Sequence, residues 1–139
     1  MTGAPLDGVW VLDFSTLLPG PLATLYLPQA GAEVIKIERP GTGDPVRSYP
    51  PFREGKSILF ELLNDGKQSV VLDLKDPTPR SRFLELVRSV DVLVEQFRPG
   101  VMARLQLDFD SLRRVHPELI YCSISGYGQH GARNQVVGH

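Results

Sequence analysis

Five short segments rich in valine and isoleucine recur along the chain, at residues 9–14, 33–38, 69–74, 92–95 and 120–125. Stretches of helical character lie between them, at 20–30, 57–64, 77–89, 99–105 and 110–116. This alternation limits the fold more than any other feature. Strands that are short, apolar and separated by helices build βαβ units around a largely parallel sheet. Such a sheet is buried on both faces, and its crossovers are right-handed. The segment 33–38, Glu-Val-Ile-Lys-Ile-Glu, differs by alternating apolar and charged residues. One of its faces is expected to meet solvent or the sheet edge. Asp76 before Pro77 reads as an N-cap with proline at the first helical position. Asp108 or Asp110 caps the last helix. Residues 39–56 form a long excursion rich in proline and glycine, of the kind that is functional or mobile in a compact domain.

The bulk numbers set outer limits. The 139 residues suffice for one domain with a core. With 42% hydrophobic and 22% charged residues, the composition is that of a globular protein. A net charge of −1 gives no basic field for a nucleic acid, so none is expected as a partner. No apolar run reaches the roughly 20 residues that span a membrane. Cys122, the single cysteine, allows no intrachain disulfide, and its strand position reads as an inert core thiol. A cytoplasmic location is expected. Three scattered histidines have no metal-ligand spacing: His116 reads as a residue at a helix end and His130 as a loop residue. The loop-like ending, Gly-Ala-Arg-Asn-Gln-Val-Val-Gly-His, reads as the N-terminal part of a longer protein, or as a small domain with a frayed tail.

Ligands of parallel sheets bind beyond the carboxyl ends of the strands. The residues just after each segment include Arg39, Lys75, Arg98 and, a turn later, Arg104. Four cations on one rim suit an anionic, phosphorylated ligand; the alternative is that they solvate loops. After the first strand, Leu17-Leu18-Pro19-Gly20-Pro21 leads into a helix whose free N–H groups and positive dipole end are expected at that rim. A tight strand–helix corner is the simpler reading. There is no GxGxxG fingerprint and no phosphate-binding GxxxxGK[ST] loop.

Five phrases occur together in one order: PLDGVWVLDFSTLLPGPLAT, GAEVIKIERPGTGDPVR, KQSVVLDLKDP, DVLVEQFRPGVMARLQLDFDSL and PELIYCSISGYGQHG, followed by a closing Gly-His. In this the chain resembles the N-terminal region of the family III CoA-transferases. These are also called the CaiB/BaiF family, which includes formyl-CoA transferase and α-methylacyl-CoA racemase. The resemblance runs from about Pro5 to His139 and covers about the first third of a full-length member. It implies an α/β, Rossmann-like fold with a mostly parallel sheet and helices on both faces, incomplete relative to the full family fold. Residues 1–139 would be the N-terminal part of the large CoA-binding domain, with the small domain absent.

The resemblance also implies partners and sites. Acyl-CoA and a carboxylic acid are the substrates, no cofactor is tightly held, and the full-length chains form interlinked homodimers. The positions matching CoA contacts are Leu17, Leu18 and Pro19, then Arg39, then Leu72 and Lys75, then Phe97, Arg104 and Leu105. Guanidinium and ammonium groups suit the phosphates of CoA, and Leu72 and Phe97 suit its adenine. Four positions depart from common family usage: Leu18, Pro28, Gln96 and Val137. Leu18 and Val137 make formyl transfer the weaker choice, and Pro28 should kink or end its helix.

The implied reaction moves CoA between carboxylic acids through an aspartyl mixed anhydride, and that aspartate lies beyond residue 139. Asp13, Asp73, Asp91 and Glu95 read as structural carboxylates. His139 stands where racemase-like members have Gly-His-Asp, and there it would exchange the α-proton of a 2-methylacyl-CoA. Many transferase relatives carry the same Gly-His-Asp, so the histidine does not choose between reactions. A third reading is a CoA-binding fragment without catalysis, since the 139 residues lack the nucleophile.

Overall fold

The computed structural model describes residues 3–74 and 76–136, with the backbone alone for 77–80. In chain order the elements are β1 (Trp10–Asp13), α1 (Pro19–Gln29), β2 (Glu33–Glu38), a 3-10 turn (Pro45–Ser48), β3 (Phe52–Arg53), β4 (Lys56–Ser57), α2 (Ile58–Leu63), β5 (Gln68–Val71), α3 (Pro77–Val87), β6 (Val92–Glu95), α4 (Val101–Arg104), α5 (Phe109–Arg113) and β7 (Ile120–Ser123). Five strands form one sheet in the order β5-β2-β1-β6-β7, and every pairing in it is parallel. The short β3 and β4 form a separate antiparallel hairpin. The fold is α/β, as the alternation of segments predicts.

Because side chains alternate across a strand, each central strand feeds two cores. On one face Leu12, Ile35, Ile37 and Leu93 pack with Phe83 and Val87 of α3, Met102 of α4 and Leu112 of α5. Phe14 meets the edge of Phe83 with ring centroids 5.3 Å apart. On the other face Val11, Val34 and Val94 pack with Ala32 and with Leu27 of α1. Helices therefore cover both faces.

Three expectations need correction. Of the charged side chains of β2 only Glu33, at its start, is exposed; Lys36 and Glu38 meet neither solvent nor an edge, at 1% and 4% exposed. They lie on the α1 face, where the apolar Val11 and Val34 give way to Asp13, Lys36 and Glu38 toward the strand ends. Burial on both faces holds for the central strands β1, β2 and β6, but the edge strands are open, and all four residues of β5 are exposed. Cys122, on the edge strand β7, is exposed and is no core thiol. The excursion 39–56 is tied into the body, since Asp44 and Val46 are buried. Pro28 ends α1 as its ring requires, one residue before the last helical position. Asp108 is the α5 cap, accepting from the Ser111 N–H at 3.1 Å.

Candidate functional site: the rim at the carboxyl ends of the strands

The chain leaves β1 toward β2 on one side and returns to place β6 on the other. The carboxyl ends of β1 and β6 therefore mark the topological switch point of the sheet, the usual ligand crevice of open α/β folds. A cleft of about 290 Å³ lies there, lined in part by Pro19, Gln96, Phe97, Arg98, Ile124 and Tyr127.

The corner between β1 and α1 forms one wall. Gly20 is a steric necessity: a Cβ there would lie 2.1 Å from Ser15 Cβ and 2.3 Å from Gln96 Oε1. The Gln96 amide holds the corner from both sides, with Nε2 donating to the Thr16 carbonyl at 2.5 Å and Oε1 accepting from the Gly20 N–H at 2.8 Å. This corrects the expected free donors of α1. Pro19 and Pro21 have no N–H, Gly20 gives its own to Gln96, and Leu22 gives its own to the Leu18 carbonyl at 3.0 Å. The Pro-Gly-Pro run thus makes a close corner whose backbone is already satisfied. Its outward offer is apolar, through Leu17 and Leu18, which are 38% and 52% exposed.

The cations follow from the strand order. Arg39 directly follows β2, is exposed, and donates through Nε to the Gly43 carbonyl at 3.2 Å. Arg98 follows β6 and lines the cleft. Arg104, exposed, ends α4. Since β2 and β6 flank β1, all three connections leave from one edge of the sheet. Phe97 and Leu105 are half-buried against the core cluster of the α3 face, as is Leu72 just after β5. Pro19 and Phe97 share the cleft. Leu72 follows the far edge strand, three strands from β6. Lys75, Val137 and His139 lie outside the described residues.

Residues 6–139 match the sequence model of CoA-transferase family III. The chain belongs to this family. It is 50% identical over 127 residues to the acetyl-CoA:oxalate CoA-transferase of Acetobacter aceti, covering 91% of this chain and 33% of that protein. To the succinyl-CoA:glutarate CoA-transferase of Mus musculus it is 43% identical over 136 residues, covering 97% and 31%. The crystal structure of a CAIB/BAIF family protein from Brucella suis superposes with a TM-score of 0.92 at 36% identity, over 99% of this chain and 38% of that one. The chain spans about a third of the length of the curated relatives it matches.

Beneath the rim, this family III chain buries a set of charges that sequence reasoning missed. Asp13 accepts from the Ser15 N–H at 2.8 Å, from the Ser15 hydroxyl, from the Thr24 hydroxyl at 2.6 Å and from Lys67 Nζ at 3.1 Å. Lys67 also donates to the Pro21 carbonyl at 2.9 Å, tying β5 to the start of α1. Burial pulls its pKa below the usual lysine range, against the opposing pull of Asp13. Lys36 donates to the Ser15 carbonyl at 2.8 Å and meets Asp44 Oδ2 at 2.9 Å. Glu38 accepts two bonds from Arg47, at 2.8 and 2.6 Å, and one from Ser69 at 2.5 Å. Burial raises the Glu38 pKa, but those bonds outweigh it and bring it down to about 2. The sequence signal was present: a lysine and a glutamate at alternate positions of an apolar strand are either an edge or a buried pair. The strand order decides, because β2 lies between β1 and β5.

The remaining polar residues have structural surroundings. Glu95 is buried and accepts from the Phe97 N–H at 2.8 Å, in keeping with a structural role. His116 Nε2 lies 3.1 Å from the Val90 carbonyl. His130 borders a second cleft with Glu95, Asp108 and Tyr121, whose phenol is pushed up by burial and then by those carboxylates. Among the described residues no cluster of histidine, cysteine, aspartate or glutamate could hold a metal. Nor is any helix among them long and apolar enough to cross a membrane.

Proposed function

We propose that this chain forms the CoA-gripping rim of an enzyme that transfers CoA between carboxylic acids. The observation that carries the reading is the convergence at one sheet edge. There the exposed Leu17 and Leu18 follow β1, Arg39 follows β2, and Phe97 and Arg98 at the cleft follow β6, with Arg104 further on at the end of α4. CoA offers the matching chemistry: phosphates for guanidinium groups, and an adenine and a pantetheine arm for apolar surface. Leu72, Lys75 and Leu105 complete the proposed contact set.

In this reading an aspartate supplied from outside residues 1–139 attacks the donor thioester carbonyl. The C–S bond breaks, CoA leaves as the thiolate, and an acyl–aspartyl anhydride remains. Relatives are named for the oxalate and glutarate they use, so a dicarboxylate is the proposed acceptor. Open edge strands, with Val71 60% and Ile120 61% exposed, support further protein covering them, as in a homodimer of the longer chain. The single exposed cysteine fits a reducing cytoplasm. Racemisation would rest on His139 alone, and no feature of the described cleft favours it.

The test is incubation of the full-length protein with acetyl- or succinyl-CoA and oxalate or glutarate. Appearance of the acceptor's CoA thioester is expected, with none from residues 1–139 alone. Exchange of an α-proton with deuterated water, without CoA transfer, would replace this reading by the racemase one.

A further inference from the structure

The turn that presents Leu17 and Leu18 is held in a conformation it would not choose. Leu17 has φ 64°, in the left-handed region that a leucine enters only under constraint. Its N–H is donated to Asp44 Oδ1 at 3.1 Å, and the Val46 N–H shares that oxygen at 3.0 Å. The other oxygen, Oδ2, has no hydrogen bond and meets the Lys36 ammonium as an ion pair at 2.9 Å. The same ammonium donates to the Ser15 carbonyl, two residues before Leu17. Asp44 is 1% exposed, so it cannot itself touch a ligand at the rim. A carboxylate twenty-seven residues away in sequence thus sets the backbone of the exposed apolar turn.

We infer that Asp44, charge-balanced by Lys36, is a positioning residue for acyl-CoA binding: it holds Leu17 left-handed so that Leu17 and Leu18 face the ligand. This rests on the reading of the rim as the CoA site. In Asp44→Asn the acceptor for the Leu17 N–H remains, but the buried Lys36 loses its counter-charge and the frame loosens.

The experiment is a double-mutant cycle of Asp44→Asn and Leu17→Gly, read as the Kd for CoA by calorimetry on the full-length protein, with thermal unfolding recorded in parallel. Glycine takes a positive φ without strain. Asp44→Asn alone should weaken CoA binding roughly tenfold. In the Leu17→Gly background the same substitution should change Kd less than about threefold, although the loss of Tm persists. Equal effects in both backgrounds would overturn the inference, because Asp44 would then act on stability alone. Should Asp44→Asn not fold, amide exchange in the unaltered chain decides. A slowly exchanging Leu17 N–H supports the restraint, and exchange at the rate of an open loop overturns it. If the unaltered chain binds no CoA, the rim reading fails, while the exchange result still judges the hold of Asp44 on Leu17.

Discussion

Gly20 and Glu38 show how single residues set the site. Gly20 lies where β1 turns into α1, and no side chain fits against Ser15 and Gln96. Gly20→Ala should cost about 1–3 kcal/mol, because the corner must open to admit one methyl group; denaturant unfolding measures it. At Glu38 the expectation concerns pH. Its pKa is lowered from 4.5 to about 2, so its contribution is fully present above about pH 4.5 and is lost as the pH falls toward 2. Arg47 is 43% exposed on its side chain, so solvent weakens the pair, and the contribution is on the order of 2 kcal/mol. Glu38→Gln should flatten the stability profile between pH 4.5 and 2, and chemical unfolding at several pH values checks it. Neither role was legible in sequence. A glycine between prolines announces a turn, but not the glutamine that packs on it from another strand's loop.

Elements were legible to the extent that their own residues decide them. The strands 33–38 and 92–95 fall where the apolar runs placed them. The run 69–74 was read too long, and its last ladder pair is Val71 with Glu38. Leu72 still bonds to the Glu38 carbonyl, and the ladder stops with the last residue of β2. Likewise 120–125 stops at Ser123, opposite the last residue of β6. A strand's length belongs to its neighbour as much as to itself. The same logic governs the tie between β5 and α1. Lys67→Met would leave Asp13 buried without its counter-charge, at a cost of about 3–5 kcal/mol. Combining it with Asp13→Asn should recover part of that loss, and a thermal unfolding series of the three variants measures the coupling.

At the scale of the whole molecule, the order of the strands converts a linear pattern into a site. The sequence showed cations after several strands, and the arrangement β2-β1-β6 sets Arg39 and Arg98 just after the two strands that flank β1, whose own exit presents Leu17 and Leu18. The resemblance to the family supplied the ligand; the fold shows why those positions share an edge. The open β5 and β7 edges were not foreseen, because an apolar strand gives no sign of whether it lies at the centre or the edge of its sheet. The central claim is that the guanidinium groups of Arg39, Arg98 and Arg104 grip one CoA together. The most direct measurement is the CoA affinity of the 139-residue chain against that of Arg39→Ala/Arg104→Ala, by titration calorimetry at low and moderate salt. The account predicts saturable binding that competes with ADP and weakens by at least about tenfold in the double variant, with a shallower salt dependence. Unchanged affinity on removing both arginines, or no competition by ADP, would contradict it.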